Sequence, residues 1–364
     1  MSLSGVESAG WKMRIGKNPM SKGRIAVAMS GGVDSSVAAY LAIKAGYEVV
    51  GIHLKMETDL PEDPELHRCC ADLGIELFEH DCASEFYEKV LYASAAEYAA
   101  GRTPNPCCTC NKELKFAELL KAASFLGIEK VFTGHYVRLT EDSGIYHLQK
   151  GVDPGKDQSY FLYRLTQDEL SRVGFPLGEL TKAQVRQIAA DAGLQCAVRK
   201  DSQDACFQIP GECCGETLLR RCNLPVRRGK FIHCGKVVGR HDGIHRYTLG
   251  QRQGLNVALG VPAYIRSISP ESGDIILTTH SDELLSRDFT VKNPVWQSGD
   301  FPFSGDITVR VRYRSPGVRC RILILPDNSL QVTPEMPLRA VTPGQAAVFY
   351  DGDTVLGGGI IDHV

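Results

Sequence analysis

No run of about 18 consecutive apolar residues occurs in the 364-residue chain, which excludes a helical membrane span. The basic, apolar and small-residue blocks of a secretory leader are missing as well, so a cytoplasmic location is expected. The string Gly-x-x-x-x-Gly-Lys-Ser/Thr does not occur, and the kinase and GTPase phosphate loop goes with it. There are no internal repeats and no low-complexity stretches, so a solenoid or a disordered tail is not the architecture. Net charge is scarce too. A formal −2 excludes a uniformly basic nucleic-acid binder. What remains is ordinary globular material, 43% hydrophobic and 23% charged, long enough for two or three domains.

Charge and cysteine depart from that plain background. Residues 1–210 hold 23 Lys+Arg against 28 Asp+Glu, and residues 211–364 hold 18 against 15. Nine basic residues between Arg220 and Arg252 face one acid, Asp242. Such a stretch either follows a phosphate backbone or is a solvated basic face. Thirteen cysteines in a chain expected in a reducing compartment argue against a disulfide framework, and an odd number cannot all pair. Buried small hydrophobes, metal ligands and sulfur chemistry are the uses left.

Residues 1–22 carry little periodicity and are set aside. From there, short apolar strands alternate with helices: Arg24–Met29, Tyr47–Leu54, Ile75–His80 and Lys130–Thr133 as strands, with helices over Val37–Ala45, Leu66–Leu73, Ser84–Ala100 and Asn111–Phe125. This order predicts an α/β fold, a doubly wound parallel sheet with ligands at its carboxyl edge. After residue 210 the helical pattern fades. A small mixed, basic module is expected over 210–265. Short β runs starting near Ala263–Ile268 and Asp274–Thr279 predict a C-terminal all-β barrel over 266–364. The α/β domain is then 23–209.

Two strings carry chemistry. Ser30-Gly31-Gly32-Val33-Asp34-Ser35-Ser36 lies between a strand and a helix. Its glycines let backbone N–H groups approach an anion, its hydroxyls can donate to phosphate oxygens, and Asp34 can help hold Mg²⁺. The string resembles the pyrophosphatase loop of enzymes that adenylate a substrate with ATP. The second string, Thr103-Pro104-Asn105-Pro106-Cys107-Cys108-Thr109-Cys110, precedes the helix expected to begin at Asn111. A thiol at a helix N-terminus has a lowered pKa, so Cys110 is expected to be partly thiolate. Cys107-x-x-Cys110 also has metal-ligand spacing, with no second such pair to close a zinc site. Cys206 lies at the end of the α/β domain. On their own residues, Cys69, Cys70, Cys213 and Cys214 read as structural.

Together with Gly134-His135-Tyr136, Lys156–Leu162, Phe175–Gly178, Lys200–Cys206, His241–Leu255, Arg312–Arg314 and Val341–Tyr350, these strings resemble the bacterial and organellar tRNA-specific 2-thiouridylase (MnmA/TrmU) family, in family order from about residue 24 onward. The resemblance implies a three-domain enzyme of the PP-loop ATP-pyrophosphatase type. ATP would sit at Ala28, Met29, Ser30, Gly31, Gly32, Val33, Asp34 and Ser35, with Leu54 and Gly134 at the nucleotide. The enzyme would adenylate the 2-oxygen of a tRNA wobble uridine, in acceptors for Lys, Glu and Gln. Sulfur would then displace AMP and leave 2-thiouridine. Cys206 would carry a persulfide, Cys110 would be the partner nucleophile, and a Cys110–Cys206 disulfide would follow. Asn105, Pro106 and Cys107 would meet the target base, which must leave its stack to be reached. His135, Lys156, Asp157, Gln158, Arg312, Tyr313 and Gln345 would contact tRNA. The sulfur would come from a donor protein, a cysteine desulfurase or a sulfur carrier.

Three departures from the family pattern stand out. Cys107 replaces an aspartate, Gln203-Asp204-Ala205 replaces the usual small run before the persulfide cysteine, and Glu57–Arg68 is short. Cys107, Cys110 and Cys206 could therefore instead hold a [4Fe–4S] cluster with one iron open to a sulfide. That leaves the persulfide and cluster routes open at this point. Two further classes compete: another PP-loop adenylating synthetase, which would not need the three cysteines, and a non-catalytic ATP-liganded RNA-binding protein, which would not release AMP.

Overall fold

A computed structural model describes residues 23–57, 63–199, 205–299, 301 and 306–364. The expectations placed on Lys200–Asp204, and residues 58–62 of the shortened Glu57–Arg68 segment, lie outside the described residues.

The α/β domain starts with β1 (Arg24–Ala28), α1 (Val33–Lys44), β2 (Glu48–Lys55), α2 (Pro64–Leu73) and β3 (Glu76–Asp81). A helical layer follows: α3 (Ala83–Phe86) passes through a π-turn at Tyr87–Tyr92 into α4 (Ala93–Ala99), and α5 (Pro106–Cys110) passes through a second π-turn at Asn111–Lys115 into α6 (Phe116–Phe125). Then come β4 (Val131–Phe132), the hairpin β5 (Val137–Asp142) and β6 (Ile145–Lys150), α7 (Gln167–Arg172), β7 (Val173–Gly174) and α8 (Lys182–Asp191). The parallel sheet runs β3-β2-β1-β4-β7. Its central strands are apolar without alternation, as strands covered on both faces must be. Ile25, Ala26, Val27, Val50 and Ile52 are all buried. The four expected strands are present. β7, two residues long, was not legible from any pattern.

Two starts differ from expectation. Helix α1 begins at Val33, so Asp34 and Ser35 sit in its first turn. Helix α5 begins at Pro106, with Asn105 as its N-cap accepting a bond from the Cys108 N–H at 3.3 Å. Proline at the first helical position suits an N–H that would be unpaired anyway. Cys110 therefore lies a full turn inside the helix rather than at its N-terminus, and the expected lowering of its thiol pKa loses its cause.

The middle domain packs α9 (Cys214–Arg221) beside β8 (Gly229–His233), β9 (Lys236–His241), β10 (Tyr264–Ile268) and β11 (Ile275–Thr278). These strands form one sheet in the order β10-β11-β8-β9. The expected boundary at 265/266 cuts through β10, and the two β runs assigned to the C-terminal barrel belong to this sheet. Strand character is local, whereas the choice of partner is not.

The remaining strands are β12 (Leu285–Ser286), β13 (Phe289–Trp296), β14 (Ile307–Arg310), β15 (Val318–Ile324), β16 (Leu330–Pro334), β17 (Leu338–Arg339), β18 (Ala346–Asp351) and β19 (Thr354–Ile361). The order β13-β16-β15-β14-β18-β19 closes through β13–β19 pairing into a six-stranded antiparallel barrel, which leaves no free edge within that ring. The β5–β6 hairpin of the first domain adds to β19 through Thr354 and Gln149. The barrel also braces the loop before α5. Thr103 N–H donates to Pro343 O at 2.9 Å, and Gln345 Nε2 donates to Thr103 O at 2.7 Å. Arg102 bonds Asp362 at 3.1 Å. At Gly344, φ is +93° and a Cβ would stand 3.0 Å from the Thr103 carbonyl carbon, so only glycine fits this seam.

Candidate active site

The nucleotide loop is held from within. Ser35 Oγ donates to Gly32 O at 3.1 Å and accepts from Ser30 N–H at 3.2 Å, and Ser36 Oγ donates to Gly32 O at 3.0 Å. Gly31 has φ +69°, which a side chain would oppose. Gly134, just after β4, passes so close that a Cβ would stand 2.9 Å from the Asp34 carbonyl carbon and 3.0 Å from Ser35 N. Leu54 is buried near the end of β2. Loop, Leu54 and Gly134 thus meet at the carboxyl edge of the sheet, where parallel α/β folds bind ligands. Asp34 is engaged on both oxygens. Lys182 Nζ lies 2.7 and 2.9 Å from them, and Tyr136 OH donates to Oδ1 at 2.6 Å.

The thiols form a different kind of site. Cys108 is buried, its sulfur directed at Tyr160 O at 3.8 Å, and takes no part. Cys110 is buried, whereas Cys107 and Cys206 are exposed. Burial pushes the Cys110 thiol up to about 11; the nearby Lys115 ammonium pulls it down, and Cys206 and Cys107 push it up. Although Cys107 is exposed as a residue, partial burial of its sulfur pushes its thiol up as well, with Lys115 pulling it down and Cys206 adding to the rise. Burial works against the charge on Lys115 itself, but Cys110, Cys206 and Cys107 outweigh it and hold the ammonium above the usual lysine value. The three cysteines are therefore electrostatic neighbours around one lysine. Among the described residues, however, no group of three or more His, Cys, Asp and Glu side chains converges as a metal site. The cysteines do not present a ligand set for a cluster in this arrangement.

Lys115 was not singled out from the sequence. It reaches the cysteines because the Asn111–Lys115 segment is a π-turn. In an α-helix, residues five apart point about 140° away from each other, whereas a π-turn brings them onto one face. No local sequence signal announces that change of winding.

The residues expected to face tRNA divide into two kinds. His135 lies next to Gly134. Its Nδ1 is 2.8 Å from Thr133 Oγ1, and its ring sits among Phe116 and Phe175. Burial, then the Lys115 charge, push it down to about 3, so it is neutral near pH 7. The Tyr313 ring packs tilted against Phe161, centroids 4.4 Å apart. Lys156 and Gln158 are half-buried on the turn before Ser159, and Gln158 exchanges two bonds with the Tyr136 backbone. Other side chains in this set are engaged inside the protein. The Asp157 carboxylate is buried and accepts from Gly151 N, Ser159 N, Ser159 Oγ and Arg310. Arg312 Nη2 bridges Leu249 O, Ala340 O and Thr342 Oγ1, joining the middle domain to the barrel. Of the nine basic residues between Arg220 and Arg252, Arg220, Arg221 and Arg246 pair with Glu212, Glu57 and Glu216. Arg228, Lys230 and Arg240 line an open crevice in the middle domain with His241, Asp242 and Asp274. The basic stretch is thus part brace and part exposed face.

The architecture is a parallel α/β unit followed by two β modules, with the Ser30–Ser36 loop and a cysteine group on neighbouring walls. Known families match in that order. The tRNA methyl transferase HUP domain covers residues 23–210, the tRNA methyl transferase PRC-barrel domain 218–279, and the aminomethyltransferase beta-barrel domain 286–361. The chain is 42% identical to the tRNA-specific 2-thiouridylase MnmA of Syntrophomonas wolfei, over 93% of this chain and 99% of that one. It is 40% identical to the protein of the same name from Bacillus subtilis, covering 94% and 95%, and 40% identical to that of Geobacter metallireducens, covering 93% and 96%. The chain belongs to the tRNA-specific 2-thiouridylase family, and by that membership it is a tRNA-uridine sulfurtransferase. Among the described residues no helix is long and apolar enough to cross a membrane.

Proposed function

We propose that the chain activates the 2-oxygen of a tRNA wobble uridine with ATP and replaces it with sulfur carried on its own cysteines. The observation that carries this reading is the pair Gly134-His135. Gly134 lies against the backbone of Asp34 and Ser35, and His135 lies against Phe116 and the Lys115 charge. Two consecutive residues thus join the nucleotide loop to the thiol group, as a two-stage reaction on one base requires.

In the first stage the uridine 2-oxygen attacks the α-phosphate of ATP and pyrophosphate leaves. Ser30–Ser35 would cradle the departing phosphates, and Mg²⁺, which Asp34 could bind, would neutralise their charge. Adenylation turns a poor leaving group into a good one. In the second stage the Cys110 thiolate attacks the inner sulfur of a Cys206 persulfide. The Cys110–Cys206 disulfide forms, and the outer sulfur leaves with two electrons as hydrosulfide. That hydrosulfide attacks C2 and expels AMP. External thiols reduce the disulfide, and a persulfide-bearing donor protein recharges Cys206. Lys115 supplies the positive charge that favours the Cys110 thiolate. Cys107, standing where the family has an acid, contacts the base. Asp157 supports tRNA contact by fixing the turn of Lys156 and Gln158. Acceptors for Lys, Glu and Gln are the expected substrates.

The test uses the full chain, tRNA, ATP and a persulfide donor, with AMP and 2-thiouridine both quantified. Wild type should yield both. Cys206→Ala should yield AMP with no 2-thiouridine. Absence of AMP from wild type in the presence of bound tRNA would replace this reading with an RNA-binding one. Iron and acid-labile sulfide in anaerobically purified protein, lost in Cys107→Ala, would replace the persulfide stage with a cluster-bound sulfide.

A further inference from the structure

Lys182 is in an unfavourable place by the ordinary rules of helices. It is the first residue of α8, where the helix dipole favours acids over bases. The helix start is secured by other means. Thr181 and Gln184 form a reciprocal capping box, with Gln184 Oε1 accepting from Thr181 N–H at 2.8 Å. The lysine is therefore not needed to make the helix begin. Its ammonium instead crosses to the nucleotide loop and lies 2.7 and 2.9 Å from the two Asp34 carboxylate oxygens. The side chain is largely buried, with 12% exposure, against 35% for Asp34.

We propose that Lys182 is a phosphate-binding residue of the nucleotide loop, and that its ammonium transfers from Asp34 to the terminal phosphates of ATP as Asp34 turns to the accompanying divalent cation. The inference rests on the nucleotide reading of Ser30–Ser35.

Charge pairing supports the exchange. The ion pair is neutral as it stands. An entering polyphosphate brings several negative charges and its cation two positive ones. If Lys182 stayed on Asp34, the cation would meet a carboxylate already neutralised, and the phosphates would lack a fixed cation at close range. After the exchange the phosphates gain a fixed cation at close range and the divalent cation gains a free carboxylate. Asp34 cannot retreat, because Gly134 packs against its backbone. Tyr136 OH, 2.6 Å from Asp34 Oδ1, can keep one carboxylate oxygen aligned as the lysine leaves. Arg199, another cation at the loop among the described residues, donates to Gly31 O at 2.9 Å and is paired with Glu65 at 3.0 Å and Asp63 at 3.6 Å. Its charge is already matched by two acids, so Lys182 is the better placed of the two to serve phosphate.

Equilibrium binding of Mg-ATP, Mg-pyrophosphate and AMP to the full chain tests this by calorimetry. Lys182→Met should weaken ATP and pyrophosphate by roughly 10- to 100-fold, the usual worth of a charged hydrogen bond, while AMP changes less than about 2-fold. Lys182→Arg should retain most of the affinity. A second measurement does not depend on the methionine variant folding alone. Asp34→Asn should bind magnesium-free pyrophosphate several-fold more tightly than wild type, because the lysine no longer has to leave a carboxylate, and that gain should vanish in Asp34→Asn/Lys182→Met. Unchanged ATP affinity in Lys182→Met, equal losses for ATP and AMP, or a gain that survives in the double variant would overturn the proposal. Failure of wild type to bind ATP at all would overturn the nucleotide reading itself.

Discussion

The nucleotide loop and the thiol group lie on neighbouring walls and are prepared to very different degrees. Around Ser30–Ser36 the hydroxyls bond the backbone that forms the cradle, and both oxygens of the one carboxylate are engaged. Little needs to move for a phosphate to enter beyond one ion pair. Around Cys110 the reverse holds. One sulfur is buried, two are exposed, and the buried thiol has a pKa of about 11. At pH 7.5 only a few parts in ten thousand of such a thiol are ionised, by roughly tenfold per pH unit. The contrast matches the order of the proposed chemistry. Phosphate binding benefits from a preformed site, whereas a nucleophile kept protonated until substrate arrives is protected from oxidation and premature exchange.

The comparison breaks most severely at Gly134. A Cβ there would press on the backbone of Asp34 and Ser35 at 2.9–3.1 Å, and backbone cannot swing aside as a flexible side chain can. Overpacking of this kind costs about 1–3 kcal/mol. Placed in the loop proposed to receive phosphate, that cost corresponds to roughly 5- to 150-fold in affinity. Gly134→Ala should therefore lose nucleotide affinity on that scale, read by calorimetry, while alkylation of Cys107 and Cys206 by iodoacetamide, read by mass spectrometry, stays at the wild-type rate. If both readouts fall together, the two walls are one cooperative unit and the contrast is wrong.

Lys115→Met tests the other wall, with a somewhat smaller effect. Removing an adjacent opposite charge shifts a pKa by about 1–3 units, so the Cys110 thiol should rise further from its value of about 11. Alkylation of Cys110 in mildly opened protein at pH 8.5 should slow by roughly tenfold or more. Nucleotide binding should be unaffected. Lys115→Arg should restore most of the rate, because it restores the charge. An unchanged alkylation rate in Lys115→Met would show that the lysine serves packing only.

The same contrast explains what could be read from the sequence. The Ser30–Ser36 loop is written in consecutive residues, so its place after β1 and the helix that follows it are legible, and only the helix start is displaced, from Val37 to Val33. The thiol group is assembled from α5, a π-turn and the segment around Cys206, and its key cation depends on a change of winding that no propensity signals. Lys182 leaves a trace in the sequence, a basic residue at a helix N-terminus against the dipole. The strands β10 and β11 were recognised as strands but assigned to the wrong sheet, because pairing is decided by residues far away in the chain. The basic stretch, open on its own residues between a phosphate track and a solvated face, likewise depends on residues outside it. Glu57, Glu212 and Glu216, which neutralise three of its arginines, all lie outside the window that was counted.

His135 stands where the two walls join and should give the smallest effect. Its folded pKa, about 3, lies below the ordinary value of about 6.5. Between those values the unfolded chain takes up a proton that the folded chain refuses. The stability this neutral ring contributes is therefore complete above about pH 6.5 and is lost progressively as pH falls toward 3. The ring is only half-buried, so water will soften the effect. His135→Gln keeps a polar group near Thr133 but cannot titrate. Melting temperatures measured from pH 7.5 to 4.5 should fall less steeply for this variant than for wild type, with the two curves converging in shape above pH 6.5. Parallel curves throughout would mean that His135 ionises freely in the folded protein, and that the crowding at the junction of the two walls is looser than its packing against Phe116 and Phe175 implies.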